Sequence, residues 1–217
     1  PNWHEQLIFA EELNECMLAG CTGYIYWYMR AHWAFVGTGE SKYGTANKKN
    51  TLLPRAYIIA HFAKHVTGST RLTTSRDMTS GQEAPQEYSA YIKGDSLIVM
   101  AIDTTKVTYD LKLRLPYPVK SGVQIVSTGN ETTNLCQEKA IAIDEPSTTV
   151  TVEMPGRSLN TYIFMIQREE DTGIEEQTLS PLPNNQRKGG VFSLAGQRVN
   201  SLQKGIYIVD GKKVIVR

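Results

Sequence analysis

No run of this sequence is long and apolar enough to cross a bilayer as a helix, so a helical membrane span is excluded. An excess of one charge is also lacking: 23 Lys and Arg stand against 22 Asp and Glu, a formal net charge of +1. No global field therefore draws the chain to nucleic acid or to an anionic membrane. Cysteine is scarce, with only Cys16, Cys21 and Cys136. The odd count and scattered spacing argue against a disulfide framework or a zinc knuckle, and the expectation is three small buried thiols. The four histidines show no metal-ligand spacing such as His-Glu-x-x-His, so no metal site is expected. Gly37-Thr-Gly39 lacks the strand–turn–helix setting of a nucleotide loop, and no cofactor is expected. An initiating Met and a signal peptide are missing as well: the first residue is Pro1, and the expectation is a chain that begins inside something longer or was processed.

What is present suffices for a folded protein. Hydrophobic residues make up 41% and charged residues 21% of 217, ordinary proportions that allow a sizeable core. The centre of the sequence, in the sense of what the rest is read from, is Cys21-Thr-Gly-Tyr-Ile-Tyr-Trp-Tyr-Met-Arg30. Tyr, Ile, Trp and Thr favour strands, and a run apolar at nearly every position suits a strand covered on both faces, here about Thr22 to Met29. Before it, Trp3 to Ala19 reads as a helix. Leu7, Ala10, Leu13 and Met17 recur at three- and four-residue steps, Asn2 can cap the start, and Gly20 can stop the end. After it, a loop over 31–50 carries Trp33, Phe35 and Tyr43, which either stack on a ligand or pin the loop down. Leu53 to Val66 reads as a second helix, with Pro54 in its first turn and Gly68 past its end. Helix, buried strand, helix is the order found at the end of a βα-barrel, whose chemistry sits at the C-terminal ends of its strands.

Beyond Thr70 the pattern changes to short alternating runs: Glu87–Lys93, Ser96–Asp103, Val107–Leu115, Val123–Thr128, Ala140–Ile143, Thr148–Met154 and Thr161–Gln167. Turn residues separate them, which predicts an antiparallel sandwich. Residues 169–189 read as a linker with Pro181, Pro183 and Gly189. The end of the chain reads as a small β unit, with Val191–Leu194, Arg198–Val199, Ile206–Val209 and Lys213–Val216 alternating apolar and polar. The expected fold class is thus α/β plus all-β: the C-terminal fragment of a (β/α)8 barrel over 1–69, a side β-sandwich over 70–168, the linker over 169–189, and a β tail over 190–217.

Trp3…Gly20, Gly23-Tyr-Ile-Tyr-Trp-Tyr28 and Pro54-Arg-Ala-Tyr-Ile-Ile-Ala-His-Phe-Ala-Lys-His-Val66 together resemble the end of glycoside hydrolase family 30. The likeness is to its endo-β-1,4-xylanases that require glucuronic acid side groups. In that family the final strand reads like Ala-Tyr-Val-Trp-Trp-Tyr and the last helix like Arg-Gly-Tyr-x-x-x-His-Phe-Ser-Lys-Phe-Val. Departures are the family's Trp at Tyr26, its Gly at Ala56, its Phe at His65, and an absent serine where Ala31 and His32 stand. The loop before Leu53 also differs in length, which bears on substrate details. Separately, Phe192-Ser-Leu-Ala-Gly-Gln-Arg-Val199 with Gly205 to Arg217 is similar to the C-terminal sorting domain of the type IX secretion pathway. That resemblance implies contact with secretion machinery and a secreted or cell-surface location.

The resemblance to family 30 implies a retaining glycosidase with two carboxyl groups about 5–5.5 Å apart. Family members carry them at the ends of the fourth and seventh strands, so both glutamates are expected upstream of Pro1 and none of the catalytic residues within this chain. Glu5 matches a helix position, not a strand end. What the resemblance implies here is binding wall: Trp27 as an apolar floor under a sugar ring, Tyr28 as a hydrogen-bonding phenol, and Arg55 as the partner of a glucuronate carboxylate. The residues also allow plainer roles, a barrel-core tryptophan and a rim arginine. His32 and Trp33 are secondary loop candidates, and His61 is expected to pack in the core. The expected substrate is glucuronoxylan or a related β-linked polysaccharide, and the parent protein is expected to be the active enzyme. A rival reading is a non-catalytic carbohydrate-binding or adhesive sandwich, with sugar affinity in residues 70–167.

Overall fold

The computed structural model describes residues 2–27, 29–30, 34–40, 49–77, 85–168, 190–193, 197–199, 205–209 and 212–216. Helix α1 spans Trp3–Leu18. Its first turn is closed by Asn2, whose Oδ1 accepts from the Glu5 amide at 3.0 Å. The buried stripe Gln6, Leu7, Phe9, Ala10, Leu13 and Asn14 is the helical repeat read from the sequence. Gly20, at φ +89°, ends the helix in the left-handed conformation. Helix α2 spans Pro54–His65, with Pro54 at its first turn and Lys64 and His65 at the C-terminal end of the dipole. Both helices lie within one or two residues of the expected bounds.

A seven-stranded antiparallel sheet follows: β1 Thr70–Leu72, β2 Glu87–Lys93, β3 Ser96–Asp103, β4 Tyr109–Ser127, β5 Gln137–Ile141, β6 Ser147–Met154 and β7 Ser158–Ile166. Its order is β1-β2-β3-β7-β4-β5, with β6 paired to β4 off this path. Two of the expected runs, Val107–Leu115 and Val123–Thr128, are one strand, β4. Pro116 and Pro118 lie inside it, where a proline would ordinarily end a central strand. They sit where β4 changes partners: 109–114 pair with β6, the register shifts between Arg114 and Val119, Val119 still meets Ser147 of β6, and from Val119 to Ser127 the strand pairs with β7. At that bend the missing amide protons interrupt no ladder.

The sheet is covered on both faces. Leu7, Ala10 and Leu13 of α1 and Ile58 and Phe62 of α2 pack on Tyr91, Ile98, Met100, Ile102 and Leu159. On the other face, Leu111 of β4 and Val150, Val152 and Met154 of β6 fold back onto Leu97, Ala101, Tyr162 and Phe164. Strand β3 thus sends alternate side chains into two cores. The helices and the sheet form one compact unit, Pro1–Gln167. The second unit, Arg168–Arg217, holds a three-stranded antiparallel sheet of β8 Val191–Ser193, β9 Gly205–Val209 and β10 Lys212–Val216, in the order β10-β9-β8. Val191 and Val214 are its buried residues among those described. The linker 169–189 lies outside the described residues.

Two expectations fail. Where a strand over Thr22–Met29 is expected, residues 22–27 and 29 are an extended segment that joins no ladder among the described residues; an isolated bridge from Arg30 to Val36 follows it. Strand propensity makes the backbone extended, but a strand exists only with a hydrogen-bonded neighbour, and no described residue supplies one. Nor is the segment covered on both faces, since Ile25 is 99% exposed. The cysteines are not fully buried: Cys21 is exposed, and Cys16 and Cys136 are half-buried. Cys21 sits just past the end of α1, where the turned-back chain faces solvent.

Candidate functional site

The extended segment alternates. Tyr24 and Tyr26 turn towards α1 and meet the Phe9 ring edge-on, with centroids 6.4 and 5.2 Å away. Tyr26 also stacks flat on Phe35, at 4.5 Å and 12°. Phe35 therefore pins the loop instead of offering a platform; Trp33, Tyr43 and His32 lie outside the described residues. Backbone bonds from Phe35 and Val36 to the Met29 carbonyl, and from Leu53 to the Phe35 carbonyl, carry the loop back to α2. On the opposite side of the segment Ile25, Trp27 and Met29 face solvent, Trp27 at 80% exposure.

Arg55 occupies the first turn of α2 and is half-buried. Its Nη1 donates to the Tyr26 hydroxyl at 2.8 Å, and its Nε donates to Gln6 Oε1 at 3.4 Å. The guanidinium lies over the Phe9 ring, 4.6 Å from its centroid, and 5.9 Å from that of Tyr26. Among the described residues no carboxylate is ion-paired with Arg55. Of the five N–H groups of a guanidinium, two donate to described residues, and the fork geometry suits the remainder to an anion. The helix N-terminus adds a favourable dipole. Chemically, the arrangement is a preorganised cation on an aromatic base, suited to a carboxylate.

The site residues expected from the sequence are thus only partly gathered. Arg55 joins the segment at Tyr26, while the adjacent Trp27 side chain lies on the exposed side of that segment. Tyr28 lies outside the described residues. Sequence reasoning passed over Tyr26, Gln6 and Phe9. The signal at Tyr26 was its departure from the Trp of the motif it resembles: an indole can only donate, whereas a phenol accepts the Arg55 proton. Gln6 and Phe9, three apart, share the buried face of α1. Glu5 is in the first turn of α1, its amide held by the Asn2 side chain.

His61 packs in the core as expected. It is wholly buried, with Nδ1 2.8 Å from Thr161 Oγ1 and Nε2 2.9 Å from Ser127 Oγ. The Cys136 amide donates to Ser127 Oγ, and Thr161 Oγ1 donates to Met100 Sδ. Counting protons then sets the tautomer: Nδ1–H donates to Thr161, and Ser127 donates to Nε2. Burial, with His65 and Lys64 adding repulsion, pushes the imidazole down to about 3. It is a neutral strut between α2 and the sheet, shut off from any substrate.

A groove of about 610 Å³ opens on the face of the sheet away from the helices. Tyr88, Leu97, Val99, Leu111 and Leu113 line it, and Arg114 and Asp77, 3.4 Å apart, form an ion pair among its lining residues. Among the described residues no cluster of His, Cys, Asp and Glu could hold a metal ion.

The fold is shared with parts of known structures. A GH30 endoxylanase from Clostridium papyrosolvens C71 matches with a TM-score of 0.55 and 21% identity, over 74% of this chain and 38% of that one. The family 30 subfamily 8 xylanase Xyn30A from Clostridium acetobutylicum matches at 0.59 and 17%, over 76% and 39%. A conserved exported protein from Bacteroides fragilis matches at 0.54 and 13%, over 73% and 33%. The chain therefore spans under two-fifths of each of these proteins. No protein-family profile and no curated protein matches the sequence.

Proposed function

We propose that this chain is the C-terminal portion of a secreted retaining glycoside hydrolase that cuts internal β-1,4 bonds of a xylan bearing acidic side groups. The extended segment is the last strand of a (β/α)8 barrel, α1 and α2 flank it, and residues 70–168 are the side β-domain. Both catalytic glutamates belong to strands outside this chain. The observation that carries the reading is the segment itself. It is packed on one side against a helix and, among the described residues, pairs with no strand, with Ile25, Trp27 and Met29 in solvent, as a barrel stave is before its neighbours join. The likeness in fold to part of the xylanases supports it. Arg55 takes the glucuronate carboxylate and Trp27, facing the barrel interior, underlies a sugar ring. The tail over 190–217 is read as the export signal.

In the protein extended to a whole barrel, Arg55→Ala is expected to lower kcat/KM on glucuronoxylan by about 10–100-fold, the value of one charge-assisted pair. Activity on undecorated xylan should change little, and an equal loss on both substrates would refute the role. The isolated chain should not hydrolyse xylan. Turnover by it that Glu5→Gln abolished would displace the catalytic pair from where it is set here. Deleting 190–217 should leave the protein cell-associated.

The groove beside Tyr88 favours a second reading, a non-catalytic sugar-binding module. In that case Tyr88→Ala, and not Arg55→Ala, abolishes binding of xylan fragments to the full chain.

A further inference from the structure

The end of α1 brings two cysteines together. The Cys21 amide donates to the Cys16 carbonyl at 3.0 Å, and the Gly20 amide donates to the Met17 carbonyl at 3.1 Å. These nested bonds are a Schellman motif, with Gly20 at φ +89° in the left-handed position it requires. In that motif the side chains of the residue past the turn and of the third residue from the helix end meet. Here both are cysteine, and both are free thiols. Desolvation, then the neighbouring Cys21 and Glu12, raise the Cys16 thiol above its ordinary value. Cys21 is exposed, so an oxidant can reach it.

We propose that Cys16 and Cys21 are an oxidisable pair, closed by a small-molecule disulfide into a bridge between the end of α1 and the segment that bears Trp27. The Cys21 thiolate attacks one sulfur of the oxidant and releases one thiol. The Cys16 thiolate then attacks Sγ of Cys21 and releases the second. Two protein thiols give up two protons and two electrons, and the oxidant's disulfide becomes two thiols. The third cysteine, Cys136, is engaged elsewhere, its Sγ 3.7 Å from the Tyr57 carbonyl, and takes no part. The bridge fixes the turn at Gly20 and with it the direction in which the extended segment leaves the helix. This proposal stands apart from the hydrolase reading.

The test equilibrates the full chain with a series of oxidised and reduced glutathione ratios, quenches with acid, alkylates, and maps the peptides by mass. A 16–21 linked peptide with Cys136 alkylated is expected. Its equilibrium against glutathione should be about tenfold or more higher in native buffer than in concentrated guanidinium, because the motif, not proximity in sequence, supplies the closeness. In Cys16→Ser, Cys21 should remain as a mixed disulfide with glutathione. Equal equilibria in the two solvents would overturn the proposal. So would a native chain in which Cys21 carries glutathione while Cys16 stays alkylatable, or in which Cys21 pairs with Cys136.

Discussion

Acidification should reveal His61 as the weakest point of the helix–sheet contact. Its imidazole is neutral in the folded chain down to about pH 3, but takes a proton near 6.5 once unfolded. Below 6.5 the unfolded state therefore binds the extra proton, and stability falls as the pH drops. The sign is that of a depressed histidine: the contribution is intact above 6.5 and is lost progressively towards 3. The slope is about 1.4 kcal/mol per pH unit. Replacing His61 by Gln removes the titration at the cost of one hydrogen bond in the relay between Ser127 and Thr161. An unpaired buried hydroxyl costs about 1–3 kcal/mol, so the variant should be about 2 kcal/mol weaker at pH 7. The two stability curves then cross about 1.5 units below 6.5, near pH 5, and below that the variant is the more stable protein. Urea unfolding of both proteins at constant ionic strength between pH 7 and pH 4 measures the difference. Shifts at Glu11 and His65 are common to both chains and cancel to first order. A difference that stays constant over that range would refute the neutral, buried imidazole and the relay drawn through it.

Arg55→Lys should lose about 1–2 kcal/mol in urea unfolding, because a point charge replaces neither the planar stack on Phe9 nor the bond to Tyr26; an unchanged midpoint would mean the stack is ornamental. Asn14→Ala should cost about 2–3 kcal/mol, since it strands the Ser89 hydroxyl and the Glu87 carboxylate that Asn14 joins at 2.6 and 3.1 Å. Trp27→Ser should shift the midpoint of this chain by no more than about 0.5 kcal/mol, as expected at an exposed position. The same substitution in a protein with the whole barrel should cost several times more if Trp27 is covered there.

Local pattern and turn chemistry made most elements legible. The stripe of α1, the cap at Asn2, the stop at Gly20 and the alternation of β6 are all properties of neighbouring residues, and they fold as written. What escaped was decided by distant residues. Pro116 and Pro118 look like breaks until β4 is seen to change partners across the stretch from Arg114 to Val119 that holds them. The run from Tyr24 to Trp27 has the chemistry of a buried strand, and among the described residues none pairs with it to make it one. At the candidate site, Arg55 stood out through its likeness to a family motif, but its seat on Phe9 and its bond to Tyr26 join three separate stretches of chain. Cys16 and Cys21 look unrelated by spacing, and only the geometry of a helix end sets them side by side.

The bend in β4 has a mechanical consequence. One unbroken length of backbone is bonded to β6 chiefly before the prolines, with one further pair at Val119, and is wedged between β7 and β5 after them. Neither layer can be peeled away without dragging the other's hydrogen bonds with it, so the two should melt in a single step. A cut at residue 117 would turn that one transition into two.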